Sequence, residues 1–173
     1  MSKAQLKKAL GKMEAPALAD MLIELYEARP EAKEYLEYWL KPDAEAELEK
    51  YKVKIHRLFF TTSGRPRKRP TITSIRQIVK YFETICYDPE LTAQLYLYIC
   101  SVDIEWLRSR RNPLVGSKST RNWIDTARLY IENAGLEDRF GIKLDNLTET
   151  LDEIERHARE IHPIGSGWRR WRR

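Results

Sequence analysis

Four cations in five positions, Arg65, Arg67, Lys68 and Arg69, stand in a stretch that no helix can cross. Gly64, Pro66 and Pro70 surround them, and proline lacks a backbone donor and clashes with the turn before it. Like charges this close repel unless water or an anion separates them. With the prolines holding the chain extended, such a segment can grip phosphates, the contact that supplies most non-specific affinity for nucleic acid. A solvated loop between helices accounts for the same residues.

The end of the chain carries a second pattern. Trp168 and Trp171 alternate with Arg169, Arg170, Arg172 and Arg173. Indole rings stack on unpaired bases while guanidinium groups hold a backbone. The pattern also suits an anionic membrane surface, where tryptophan sits at the interface and arginine meets headgroups. The plainer alternative has Trp168 docking into a groove of the domain. Between the two, Arg108, Arg110 and Arg111 close a predicted helix, where cations answer the negative end of the dipole. Gly116-Ser117-Lys118-Ser119-Thr120-Arg121 echoes the end of a phosphate loop, but the earlier glycine is missing and no strand precedes it. An ordinary helix N-terminus remains, at which an anion can rest beside Lys118 and Arg121.

Other chemistry finds little footing. His157 and His162 are five apart, not the four that puts two ligands on one helical face, and His56 has no carboxylate at ligand spacing. Glu153, Glu155, His157 and Glu160 read as a solvated acidic face. There is no GxSxG and no supported triad. Cys86 and Cys100 lie in apolar surroundings, which raise a thiol's pKa and suit buried, reduced cysteines. No catalytic residue, metal site or cofactor is assigned.

The elements that must position these residues are helical. Ser2 caps a first helix carrying Leu6, Leu10 and Met13 inward, and Pro16 opens a second with Leu18, Met21, Leu22, Leu25 and Tyr26 at helical spacing. Pro30 opens a third, with Ala32, Tyr35, Leu36, Trp39 and Leu40 on one side. After Pro42-Asp43 a fourth buries Leu48, Tyr51, Ile55, Leu58 and Phe59. Beyond the basic loop, Thr71 or Thr73 caps a fifth, striped by Ile72, Ile75, Ile78 or Val79, Phe82, Ile85 and Cys86. Asp88-Pro89-Glu90 is a strong start for a sixth: a cap, a first-turn proline and an acid near the positive dipole end. Its stripe is Leu91, Leu95, Tyr98, Ile99, Val102 and Trp106. Ser117, Ser119 or Thr120 caps a seventh, holding Trp123, Ala127, Tyr130, Ile131 and Ala134 until Gly135 ends it. Leu144, Leu147, Leu151, Ile154, Ala158 and Ile161 step by three and four along the last, which His162-Pro163 closes.

Several segments together resemble a known family. They are Glu24-Leu25-Tyr26-Glu27-Ala28-Arg29-Pro30-Glu31-Ala32-Lys33-Glu34-Tyr35-Leu36, Lys41-Pro42-Asp43, Leu48-Glu49-Lys50-Tyr51-Lys52 with Phe59-Phe60, and Asp88-Pro89-Glu90-Leu91 with Leu95-Tyr96-Leu97-Tyr98. These look like small bacterial all-helical proteins classed only as a domain of unknown function. The resemblance covers residues 5–100, and the second half matches poorly. Members tend to end in Gly-Trp followed by aromatic and acidic residues. This chain keeps Gly167-Trp168 and continues with arginines. The resemblance implies a fold and a bacterial origin but no activity, cofactor or site residue.

Composition agrees with a packed helical protein: 42% of the 173 residues are hydrophobic and 33% charged. The net charge of +5 is unevenly spread, near balance over residues 1–56, basic over 57–128 and acidic over 129–168. No apolar run approaches the ~20 residues of a membrane span, and a cytoplasmic location is the default. The expectation is therefore an all-α domain of about eight helices in consecutive antiparallel hairpins, as a bundle or a short superhelix, over residues 1–164. The basic loop 61–70 lies between its helical halves, and a flexible tail follows over 165–173. The expected function is a non-enzymatic module binding an unidentified protein partner, with a homodimer open and a membrane role not expected. The alternative is nucleic-acid binding through the basic loop, residues 108–111 and the tail. Tyr26, Tyr38 and Tyr87 are candidates to line a groove for a partner helix.

Overall fold

The computed structural model describes residues 1–161. Among them the chain is all-α, with eight helices and a single isolated bridge between Phe60 and Pro66 in place of any strand. It divides into two compact units, Met1–Asp43 and a second beginning at Ala44.

The first unit holds α1 (Lys3–Leu10), α2 (Ala15–Ala28) and α3 (Pro30–Leu40). Ser2 caps α1 in a reciprocal box with Gln5, and prolines open α2 and α3 in their first turns. α2 and α3 pack on each other, tied by Tyr26 Oη donating to Glu37 at 2.9 Å. The expected stripes are present, but they do not make a core. No residue from 1 to 43 is buried. Leu6, Met21, Leu22, Leu25, Tyr35, Trp39 and Leu40, all assigned inward or to one packed side, are exposed. A pair of short helices has too little surface to enclose its own apolar side chains.

The second unit contains α4 (Ala44–Phe59), α5 (Ile72–Ile85), α6 (Pro89–Arg108), α7 (Leu114–Asn133) and α8 (Glu137–Ile161). α6 is its axis, packing against α4, α5, α7 and α8. Its start is as the sequence indicated, with Asp88 accepting from the Glu90 N–H at 2.9 Å. It is buried on more than one stripe: Leu91, Ala93, Leu95, Leu97, Ile99, Cys100, Val102, Ile104 and Leu107 all lie inside. Its neighbours show one buried face each. α4 contributes Leu48, Tyr51, Ile55 and Phe59; α5 contributes Ile75, Val79, Phe82 and Ile85. α8 contributes Phe140, Leu144, Leu151 and Ala158. Thr71 caps α5 by accepting from the Ser74 N–H at 3.1 Å, and Gly135, at φ +65°, ends the turn after α7. The start of α7 differs from expectation. Ser117 and Thr120 are buried rather than capping, and Val115 and Gly116 break the helix, with Gly116 at φ +119°.

Candidate functional site

The basic loop is a closed turn, not the extended strand that two prolines suggested. Gly64, at φ +74°, lets its N–H reach Thr61 O at 2.9 Å, and the Thr61 hydroxyl accepts from the Arg65 N–H at 3.0 Å. The chain doubles back, so that Thr61 N–H bonds Arg65 O at 2.9 Å and Arg67 N–H bonds Phe59 O at 2.7 Å. Arg67 Nε also donates to Phe60 O at 3.2 Å.

One of the four cations turns inward. The Arg69 guanidinium donates to Asp103 on α6, to Gly116 O, and to the Thr120 hydroxyl at 2.8 Å. Asp103 is 0% exposed. Burial raises its pKa above the usual carboxylate range, and the charge of Arg69 with hydrogen bonds from Arg69 and Thr120 works against that rise. Trp106, one turn further along α6, donates its indole N–H to Arg67 O at 2.9 Å. Its ring carries Arg69 at 5.3 Å and Arg110 at 5.0 Å. Asp103, Trp106 and Thr120 thus anchor the loop, and none was singled out for that role in the sequence. A signal existed: Asp103 sits between Val102 and Ile104, and an acid inside an apolar helix needs a buried partner.

The other candidates separate. Arg65 at the turn and Lys68 beyond it are exposed, as is Lys118 on α7. α6 stops at Arg108, so Arg110 and Arg111 belong to the following turn. Arg108, Arg110, Arg111 and Pro113 share a cavity of about 270 Å³ with Ile154, His157, Ala158 and Ile161 of α8. Arg121 reaches across to α8, with Asp152 at 2.8 Å and Glu155 at 3.1 Å, and its pKa is raised chiefly by the Asp152 hydrogen bond. Glu155 is buried and also takes Arg159 at 2.9 Å, so it is not part of a solvated acidic face. Trp168, Arg169, Arg170, Trp171, Arg172 and Arg173 lie outside the described residues. Tyr26 is engaged within its hairpin, whereas Tyr87 is 80% exposed.

Cys86 and Cys100 are free and buried, and burial pushes the Cys100 thiol far up. Among the described residues no group of histidines, cysteines or carboxylates stands together as a metal site would require. No described helix is long and apolar enough to cross a membrane.

A family of unknown function, DUF6155, matches residues 1–154, and the chain belongs to it. The match runs past residue 100 through α6, α7 and most of α8, further than the resemblance read from the sequence. No curated protein and no solved structure matches the chain.

Proposed function

We propose that this family member is a non-enzymatic binding module that takes a protein partner on its N-terminal helices. One observation carries this reading: residues 1–43 bury nothing, while Ile23, Trp39 and Leu40 are 57%, 70% and 69% exposed. Exposed large apolar side chains gathered in one hairpin, here Met21, Leu22, Ile23, Leu25, Tyr35, Trp39 and Leu40, mark interaction sites more often than singly scattered ones do. Charge narrows the partner. The α2–α3 hairpin carries Asp20, Glu24, Glu27, Glu31, Glu34 and Glu37 against only Arg29 and Lys33. Its complement is an apolar surface rimmed with lysine or arginine, since opposed charges steer encounter and fix register.

A photo-crosslinking side chain placed at Trp39 tests this. The expected result is one discrete protein adduct, weakened by salt, and no adduct from the same group at Leu129, which is exposed on α7. An adduct with a second copy of the chain identifies the partner as itself. Equal labelling from both positions, or none from Trp39, would sink the reading.

Nucleic-acid binding is the second reading. It is supported by the fold of the basic loop onto Trp106, which donates its indole N–H to the Arg67 backbone carbonyl while its ring carries Arg110. Against it stand Arg69 and Arg121, whose charges are engaged with Asp103 and with Asp152 and Glu155.

A further inference from the structure

We propose that the cavity between the α6–α7 turn and α8 binds a small organic anion with an apolar body. Its walls have two characters. Arg108 and Arg110 supply guanidinium groups, and Pro113, Ile154, Ala158 and Ile161 supply hydrocarbon. Among the described residues that line it there is no carboxylate. Two acids on α8 have other partners: Asp152 and Glu155 hold Arg121, and Glu155 also holds Arg159. The end of α6 contributes about half a negative charge, which the guanidinium groups of Arg108 and Arg110 outweigh.

The head of the ligand follows from the arginines. Planar guanidinium groups match carboxylate and phosphate oxygens in a two-point geometry that lysine cannot offer. Arg110 is already held in place, 5.0 Å from the ring of Trp106, which is buried and fixed by its bond to Arg67 O. A side chain ordered in advance loses less entropy when it meets its ligand. The body follows from α8. Ala158 is buried beneath the cavity and Ile161 is 58% exposed at its edge, so a phosphodiester backbone alone would leave this wall unused. A volume of about 270 Å³ falls just under the roughly 300–1,000 Å³ of drug-sized pockets, which suits a single ring or a short acyl chain. This inference stands on α6, α7 and α8 and does not depend on what covers the N-terminal helices.

The test is calorimetry and arginine side-chain NMR on the whole protein, titrated with phenyl phosphate, inorganic phosphate and benzyl alcohol. Phenyl phosphate is expected to bind about tenfold or more tightly than either half and to shift the Nε–H signals of Arg108 and Arg110. Arg108→Gln, at an exposed position, should weaken it about tenfold, the loss of one charged hydrogen bond. Ile161→Ser should weaken phenyl phosphate and leave inorganic phosphate unchanged. Equal affinity for both phosphates, or indifference to both variants, overturns the proposal. So does a short oligonucleotide that binds and responds to Arg108→Gln while phenyl phosphate does not bind.

Discussion

At Asp103 a carboxylate with no exposure faces Arg69 through one oxygen, while the other oxygen, Oδ1, has no hydrogen-bond partner. Such a group is stable only because of the cation beside it, for an unpaired buried charge costs several kcal/mol. Arg69→Met should therefore destabilise the protein by about 3–5 kcal/mol at neutral pH. The pH dependence has a definite sign. Asp103 has a raised pKa in the fold, and losing Arg69 removes what opposes that rise. The protonated acid is the form the fold tolerates, so the variant's deficit appears as pH climbs from the unfolded value near ~3.9 through the higher folded one. Urea unfolding at pH 7 and pH 5 should show a smaller deficit at pH 5; a deficit that grows on acidification would contradict the assignment. Gly116 is the other residue under constraint. A Cβ there would sit 2.6 Å from Arg69 Nη1, whose guanidinium is held by Asp103 and Thr120, and φ is +119°. Gly116→Ala should cost about 1–3 kcal/mol by thermal or urea unfolding, and wild-type stability would show that the turn rearranges freely.

Among the elements, α6 and α3 stand at opposite ends. α6 is surrounded, and Leu95 on it is 0% exposed; α3 is bare, and Trp39 on it is 70% exposed. Truncating Leu95 to Ala leaves a cavity in close-packed surroundings and should cost about 2–5 kcal/mol. Trp39→Ser removes a larger side chain yet should change stability by less than about 0.5 kcal/mol. Denaturant melts of the two variants check the contrast. A large loss for Trp39→Ser would mean the isolated protein already covers that face. α7 and α8 are joined differently, by polar pairs as well as apolar contacts, with Arg121 on Asp152 and Glu155 and Arg128 on Asp145 at 3.2 Å. These cations stabilise an interface between helices and are correspondingly less available to a ligand.

For the molecule as a whole, the question is how many of its positive charges meet an outside anion. The excess over residues 57–128 is real, but Arg69, Arg121 and Arg128 each have a carboxylate partner. Arg65 and Lys68 remain exposed on the loop. If the chain binds nucleic acid, replacing both by Gln should lower the salt slope of binding by about two and weaken all sequences alike. Fluorescence anisotropy with labelled DNA and RNA across salt concentrations measures this. An unchanged slope would exclude the loop from such contacts.

Helical class, most element starts and the inward faces of α4 to α8 follow from the sequence, because each rests on neighbours a few positions apart. Asp88-Pro89-Glu90 begins α6, Thr71 caps α5, Gly135 ends the turn after α7, and Leu144, Leu151 and Ala158 mark the inner face of α8. The dense charge of residues 65–69 is equally local. What the charge does is not, since Arg69 finds Asp103 34 positions away and Thr120 51 positions away. The same holds for Arg121 and Asp152, and for the cavity that joins Arg108 to Ile161. Periodicity also marks an apolar stripe without saying whether anything covers it. Leu22 and Leu25 repeat as regularly as Leu91 and Leu95, yet only the second pair is buried. Burial depends on which other elements arrive, and tertiary structure alone decides that.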